Sequence, residues 1–169
     1  MIYMVGGRKK NADGISKLYS SCYAFDIDDN KWVEKRSLPF TLMAGTGVSY
    51  NGSGILLFGG DTGKQFHEAE TLGHDIQRTN DSTTRTKLVQ QKNELQAAHP
   101  GFNGTVLLYK AATDEWTIAG KMDYPTQVTT NAITWKDQVF IPGGEIRAGV
   151  RTPLIVTATI KRITDDESQ

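Results

Sequence analysis

Three apolar runs along this chain each end in a pair of glycines. The runs are IYMVGG at residues 2–7, ILLFGG at residues 55–60 and VFIPGG at residues 139–144. Because glycine tolerates positive φ and has no Cβ, such a run predicts a β-strand that stops where the backbone turns sharply or approaches a neighbour closely. The recurrence predicts an internal repeat, which defines the architecture before any single residue is interpreted. We therefore expect a stack of small sheets.

The first two glycine pairs are followed by the same order of features. After the first pair come a polar loop, an apolar-aromatic strand at residues 22–26, a turn and Trp32. After the second pair, the strand at residues 106–110, a turn and Trp116 return in that order. The order resembles the kelch repeat, in which each repeat forms one four-stranded blade of a β-propeller, with each tryptophan ring buried between blades. A plain β-sandwich also has short strands, but it does not explain the repeated order.

The length of the chain limits the number of blades. Kelch repeats are about 50 residues long and propellers usually have about 4 to 8 blades, so 169 residues supply little more than three repeats. The predicted fold class is therefore all-β, as about three blades of a kelch-type propeller. The predicted divisions are an incomplete first blade (1–43), a second blade (44–127), an incomplete third blade (128–162) and a tail (163–169).

An open arc of blades exposes sheet faces and unpaired strand edges, which promote association. We therefore expect the chain to be part of a larger propeller. Either further propeller sequence or a second copy of the chain is expected to complete the ring.

The second repeat contains an insertion at about residues 61–103, which makes it about thirty residues longer than the first. One candidate helix covers residues 66–72 and is predicted to stop at Gly73. A second is predicted from a cap at Asp81 or Ser82 to a stop at His99. Long insertions on repeat scaffolds often form lids or binding walls. The alternative is a peripheral packing excursion that contacts no ligand.

The charge composition of the chain limits the classes of partner that it is expected to bind. Lys+Arg and Asp+Glu both number 19, so the zero net charge argues against nucleic acid and anionic membranes as partners. The sequence contains no run of about 18 apolar residues, so it predicts no transmembrane helix. The start of the chain lacks the pattern of a signal peptide. Cys22 is the single cysteine, so no internal disulfide forms. Its apolar strand predicts a buried small hydrophobe rather than a reactive thiol.

The three histidines all lie in the insertion. His67, His74 and His99 are spaced by 7 and 25 residues, which matches no compact metal motif. We predict no metal site, and we expect these histidines to be solvated or near helix ends. The pattern also argues against a copper enzyme like galactose oxidase, another kelch propeller, because no tyrosine, cysteine and histidine set for copper is visible.

The best candidate for chemistry follows the third glycine pair. Glu145 comes directly after the glycines and Arg151 follows six residues later, across a connection that contains Gly149. If one residue leaves a strand end and the other begins the next strand, both side chains point towards the same channel mouth. The alternative is a surface Glu–Arg pair on a connecting loop, which contributes little stability and no function.

This segment is similar to the NGE…GLRT signature of bacterial N-acetylneuraminate mutarotases, six-bladed kelch propellers that interconvert the anomers of sialic acid. The likeness covers nearly the whole chain, including KNADG at residues 10–14 and TDEW at residues 113–116. It implies that Glu145 and Arg151 are the catalytic acidic and basic pair. Glu145 would act as general base and acid, Arg151 would hold the sugar's carboxylate, and Arg147, where the family usually has lysine, would be a weaker substrate contact.

The resemblance also implies a function and a location. The expected enzyme is a sugar mutarotase of the bacterial periplasm that acts on the sugar acid N-acetylneuraminate by acid–base ring opening and closure. It would require no cofactor. The alternative is a non-catalytic kelch module that binds a protein or a glycan, because fold alone cannot choose an activity. Half a ring supplies half a pocket, which leaves the activity of the chain alone open.

Overall fold

A computed structural model of the protein describes residues 1–160. The predicted tail (163–169) and the last two residues of the predicted third blade lie outside this range. The described part contains fourteen strands and two helices. They are β1 (Ile2–Val5), β2 (Arg8–Lys10), β3 (Ser16–Leu18), β4 (Cys22–Asp26), β5 (Lys31–Lys35), β6 (Thr46–Tyr50), β7 (Gly54–Phe58), α1 (Lys64–Arg78), α2 (Ser82–Ala97), β8 (Thr105–Lys110), β9 (Glu115–Lys121), β10 (Ile133–Trp135), β11 (Gln138–Pro142), β12 (Glu145–Arg147), β13 (Val150–Arg151) and β14 (Ile155–Thr159).

Three antiparallel sheets follow one another along the chain. The middle sheet has four strands in the order β6-β7-β8-β9, while the first has the order β1-β4-β5 and the third β10-β11-β14. The strands β1, β7 and β11 each end at a glycine pair, as the sequence pattern predicts. The sheets are thus equivalent units in successive positions.

The middle sheet has buried side chains on both faces. Successive side chains on a strand point to opposite faces, so each face packs against a different neighbour. One face packs against the third sheet, in the buried cluster Val48, Leu56, Phe58, Val139 and Ile141. The other face packs towards the first sheet, in the buried cluster Leu38, Leu42, Leu57 and Leu107. Burial of such side chains contributes roughly 1.5–3 kcal/mol each. The core therefore lies between sheets, as in stacked propeller blades.

The two tryptophans of the repeat differ in environment. Trp116 packs against the cluster between the first two sheets, and its Nε1 donates to the Arg36 carbonyl oxygen at 2.8 Å. This confirms the expected position between blades. For Trp32 the same expectation stays a prediction, because 52% of its surface is exposed and the described residues include no sheet on that side. Trp32 shares the outward face of the first sheet with Ile2 and Phe25, its neighbours in register, and residues 1–160 place no further sheet against that face.

A second contact ties the first two sheets together. The Asp114 carboxylate accepts one hydrogen bond from the Arg36 backbone N–H at 2.8 Å and one from the Tyr109 hydroxyl at 2.7 Å. Hydrogen bonds to the charged form favour it, so these donors, the Arg36 N–H first, hold the pKa of Asp114 below its usual range. Burial and the bond to Asp114 raise the pKa of Tyr109.

The glycine pairs have the backbone conformation that the sequence pattern predicts. All six glycines have positive φ, for example 62° at Gly6 and 110° at Gly144. A Cβ on Gly6 would overlap the Leu42 carbonyl oxygen, and a Cβ on Gly144 would lie 2.7 Å from the Val128 carbonyl oxygen. After each pair the chain leaves its sheet and forms a separate segment. These segments are the hairpin β2–β3 after the first pair, the helices α1 and α2 after the second, and the hairpin β12–β13 after the third. The chain then returns as the next strand of the same sheet.

The helical insertion of the second sheet is confirmed, with one different boundary. Asp81 caps α2 as expected, accepting a hydrogen bond from the Thr84 N–H at 2.7 Å. The predicted stop at Gly73 is wrong, because α1 continues to Arg78. A helix interior tolerates glycine at a cost of about 1 kcal/mol, and a Cβ at Gly73 would lie 3.3 Å from the Lys92 Nζ of α2. Neither helix is long and apolar enough to span a bilayer.

Candidate functional site

The three segments that follow the glycine pairs, namely the hairpin β2–β3, the helices α1 and α2, and the hairpin β12–β13, line one cleft of about 580 Å³. Each such segment is called an excursion below. The hairpin β2–β3 contributes Arg8, α1 contributes Phe66 and Glu70, and β12 contributes Glu145. These residues are far apart in sequence, and the repeat brings them together because each excursion leaves its sheet at an equivalent point. The helical insertion therefore forms a wall of this cleft, which favours the binding-wall interpretation over a purely peripheral excursion.

The residue directly after each glycine pair is charged and lines the cleft: Arg8 in the first repeat, Asp61 in the second and Glu145 in the third. Asp61 exchanges two backbone hydrogen bonds with Met43, and Glu145 exchanges two with Val128. The close approach that requires glycine therefore also fixes the backbone of the following residue. Sequence analysis singled out Glu145 and missed the other two residues, although the position after the glycine pair was a signal for all three.

The Glu145 carboxylate is half-buried and oriented by its own hairpin. The Gly149 N–H donates to Glu145 Oε1 at 2.7 Å. The described residues donate to Oε1 alone, so Oε2 accepts no hydrogen bond from them. A carboxylate held in this way can accept and return a proton at Oε2 without losing the bond that orients it.

The two predicted arginines lie on the same hairpin at its exposed side. Arg151 is the register partner of Glu145 across β12 and β13, and Arg147 lies opposite Val150. Their side chains are exposed and do not line the cleft described above. Among residues 1–160 Glu145 and Arg151 form no ion pair within 4.0 Å. The fold thus brings their backbones together, on the two strands of one hairpin rather than on two strands of the main sheet.

The opposite wall of the cleft contains a hydrogen-bonded group that ties α1 to the hairpin β2–β3. The Glu70 carboxylate accepts from both the Ser16 N–H and the Ser16 hydroxyl at 2.8 Å. Arg8 Nη1 donates to the Ser16 hydroxyl oxygen at 3.0 Å and lies 3.9 Å from Glu70 Oε1. The Arg8 guanidinium also lies over the Phe66 ring, 5.0 Å from its centroid. The contacts between α1 and the hairpin join residues more than fifty positions apart, which no sequence pattern revealed.

Among residues 1–160, each of the three histidine rings has one polar contact, and only that of His67 is with a residue distant in sequence. His67 Nε2 lies 2.8 Å from the Ser16 carbonyl oxygen, His74 Nδ1 lies 3.5 Å from Asp75 Oδ1, and His99 Nδ1 accepts from the Gly101 N–H at 3.1 Å. His74 and His99 also line the cleft. Over the described range, no three residues of the His, Cys, Asp and Glu types form a group that could hold a metal ion.

Three buried side-chain atoms have no hydrogen-bond partner among the described residues. They are Gln65 Oε1, Asn103 Nδ2 and Gln127 Oε1, and of these residues only Gln65 lines the cleft. The Thr105 N–H donates to Asn103 Oδ1 at 3.2 Å, which turns Nδ2 away from that strand. Unpaired buried polar atoms cost free energy. A hydroxyl, which both donates and accepts, is the kind of group that satisfies such atoms.

Cys22 is distant from this chemistry. Its side chain is fully buried, and burial raises the pKa of its thiol to about 11. Because the thiolate is the nucleophile, a thiol with this pKa is unreactive at neutral pH. The predicted buried hydrophobe is confirmed.

Comparison with known proteins gives one consistent result. The family model described as N-acetylneuraminate epimerase matches residues 1–167. The N-acetylneuraminate epimerase of Vibrio vulnificus strain YJ016 is 25% identical over 164 residues, covering 94% of this chain and 42% of that protein. N-acetylneuraminate epimerase 1 of Escherichia coli O6:H1 strain CFT073 is 24% identical over 152 residues, covering 89% of this chain and 40% of that protein. The chain spans about two fifths of the length of these relatives.

A solved structure supports the fold. The structure of YjhT matches with a TM-score of 0.75 at 20% sequence identity, covering 94% of this chain and 46% of the other. Together with the antiparallel sheets and the two inserted helices, this match confirms the predicted all-β kelch-type propeller with a helical insertion.

Proposed function

The chain belongs to the N-acetylneuraminate epimerase family, and from this premise we propose that the protein is a carbohydrate isomerase that interconverts the anomers of N-acetylneuraminate. The observation that carries the proposal is the Glu145 carboxylate, held in the cleft by the Gly149 N–H while its second oxygen accepts no hydrogen bond from the described residues. Because the chain spans about two fifths of its relatives, the activity is proposed for the protein with its complete ring of blades.

Mutarotation needs a group that both accepts and returns protons. In the proposed mechanism, Glu145 Oε2 removes the proton from the anomeric hydroxyl and delivers it to the ring oxygen as the bond from that oxygen to the anomeric carbon breaks. This gives the open-chain keto form and restores the carboxylate. Rotation of the open-chain keto form presents its other face. The hydroxyl released from the ring then attacks the carbonyl carbon, while Glu145 takes its proton and returns it to the carbonyl oxygen, which becomes the new anomeric hydroxyl. Positioned general acid–base groups typically contribute about 10²- to 10⁴-fold.

The substrate also carries a carboxylate that a cation must bind. Arg151, opposite Glu145 on the same hairpin, is proposed to contact it through a charge-assisted hydrogen bond, with Arg147 as a weaker contact at the exposed side. The remaining blades, or a second copy of the chain, are proposed to form the other half of the pocket.

The test is proton NMR of freshly dissolved α-N-acetylneuraminate with the protein expressed from its complete reading frame. We expect faster conversion to the β anomer, and a reduction in kcat of about 10²- to 10⁴-fold in Glu145→Gln. Glu115→Gln, which removes an exposed carboxylate from the outer strand β9, is the matched control and should retain the wild-type rate. An unchanged rate of anomer conversion with folded wild-type protein would contradict the proposal and favour a non-catalytic binding module.

The periplasmic location is proposed from the family resemblance alone. Osmotic-shock fractionation of the source bacterium, with detection of the full-length protein, tests it. Recovery in the cytoplasmic fraction would contradict this part of the proposal without affecting the proposed reaction.

A further inference from the structure

Arg8 occupies the first repeat's equivalent of the Glu145 position. Each residue directly follows a glycine pair, and each lines the same cleft from a different wall. A ligand that contacts Glu145 in this cleft is therefore exposed to a guanidinium from the hairpin β2–β3. Arg151, by contrast, lies outside the lining of this cleft.

The contacts of Arg8 leave part of its guanidinium available. The described residues bond to Nη1 alone, through the Ser16 hydroxyl at 3.0 Å, while Nη2 and Nε have no partner among them. The face of the guanidinium is fixed by the Phe66 ring at 5.0 Å. Arginine recognises carboxylates through a planar fork with two parallel N–H donors. The guanidinium of Arg8 is therefore oriented before a ligand arrives, and its Nη2 and Nε donors are available to bind one.

The nearest acidic group does not satisfy this fork. The Glu70 side chain is only 15% exposed, and its two oxygens already accept from the Ser16 N–H and hydroxyl. Its closest approach to Arg8 is 3.9 Å, which is an ion-pair distance but too long for a hydrogen bond. Glu70 thus places Arg8 and lowers the local positive charge, without occupying Nη2 or Nε.

We infer that Arg8 is an anion-binding residue of the cleft and contacts the carboxylate of a sugar acid. This inference rests on the proposed function, and it adds a residue that determines specificity for acidic over neutral sugars. The carboxylate of the bound sugar accepts two charge-assisted hydrogen bonds, one from Arg8 Nη2 and one from Arg8 Nε. No covalent step is involved.

The first experiment compares substrates in the full-length protein. We expect Arg8→Gln to raise KM for N-acetylneuraminate by roughly 10- to 100-fold with little change in kcat, because a charge-assisted hydrogen bond is lost. Arg8→Lys keeps the charge without the fork, so its KM should lie between those of the wild type and Arg8→Gln. The methyl ester of the sugar lacks the anion, and its KM should be the same in all three proteins. Lys9→Gln, a neighbouring exposed cation outside the cleft lining, is the matched control.

The second experiment separates ligand binding from a structural role. Glu70→Gln removes the competing charge and keeps oxygen and amide groups next to Ser16. If Arg8 binds the substrate, this variant lowers KM by about twofold or more, opposite in direction to Arg8→Gln. If Arg8 only supports the hairpin, both variants break the same ion pair and change KM in the same direction.

A binding readout keeps this inference distinct from the proposed reaction. Saturation-transfer NMR measures contact of the acid and of its methyl ester with each protein, whether or not the anomers interconvert. Preferential binding of the acid that is lost in Arg8→Gln supports the inference even if no mutarotation occurs. Equal binding of acid and ester by the wild type, or equal binding of the acid by wild type and Arg8→Gln, overturns it.

Discussion

Gly144 lies so close to the Val128 backbone that alanine at this position is predicted to lower both the stability of the protein and its proposed catalytic rate. Gly144 has φ of 110°, and a Cβ there would lie 2.7 Å from the Val128 carbonyl oxygen. That oxygen cannot move freely, because it accepts the Glu145 N–H at 3.0 Å. Gly144→Ala therefore introduces backbone strain and also pushes on the hydrogen bonds that fix the proposed catalytic residue.

Gly7 provides a matched control for the strain. Its φ of 102° is close to that of Gly144, but a Cβ on Gly7 would have no neighbouring atom within 4 Å. Alanine at either position costs roughly 1–3 kcal/mol for the unfavourable φ. At Gly144 the overlap with Val128 adds about 1–3 kcal/mol, so the difference between the two variants isolates the close approach.

Urea unfolding of the full-length variants measures the free-energy difference as a shift of the midpoint at unchanged m. We expect Gly144→Ala to unfold at clearly lower urea than Gly7→Ala. In the NMR assay of anomer conversion, we expect Gly144→Ala to lose roughly 100-fold in rate, since an ångström of misplacement is that costly. Equal midpoints for the two variants, with full activity in Gly144→Ala, would refute the reasoning.

Two further predictions follow from ionisable groups outside the cleft. The Cys22 thiol, fully buried with a pKa of about 11, should resist iodoacetamide at pH 8 in the native protein and react fully once the protein is unfolded, as mass spectrometry can measure. The lowered pKa of Asp114 means that its stabilising contribution is present above the ordinary carboxyl pKa and is lost as pH falls through the lower pKa of the folded state. Unfolding midpoints of Asp114→Asn should therefore fall less steeply than those of the wild type on acidification, and parallel acid limbs would contradict the assignment.

The repeat was predictable because its signals are local. Glycine pairs after apolar runs specify a strand followed by positive φ, and this pattern placed β1, β7 and β11 correctly. Asp81 likewise marks the start of α2 through a bond to a residue three positions away. Each of these features is determined within a few residues, so the sequence alone carries it.

Sequence reasoning fell short where a distant part of the chain decides the outcome. Gly73 is a poor helix residue by intrinsic propensity, but α1 packs against α2 and continues through this position to Arg78. Trp32 and Trp116 have the same local pattern, and they differ because only Trp116 has a neighbouring sheet among the described residues. The place of Arg8 after a glycine pair was a local signal, but its contacts were not predictable, since its partners Ser16 and Glu70 meet only when α1 packs on the hairpin.

The geometry of the repeat explains why the position after each glycine pair can acquire chemistry. In the second and third repeats, Gly60 and Gly144 are required for close packing, and backbone hydrogen bonds hold the next residue in place whatever its side chain is. Stability therefore does not specify that side chain, and the three repeats carry Arg8, Asp61 and Glu145 there. A repeated scaffold in this way presents one basic and two acidic side chains to one cleft. The charge at each wall of the cleft is thus set by a residue that the fold leaves free to differ.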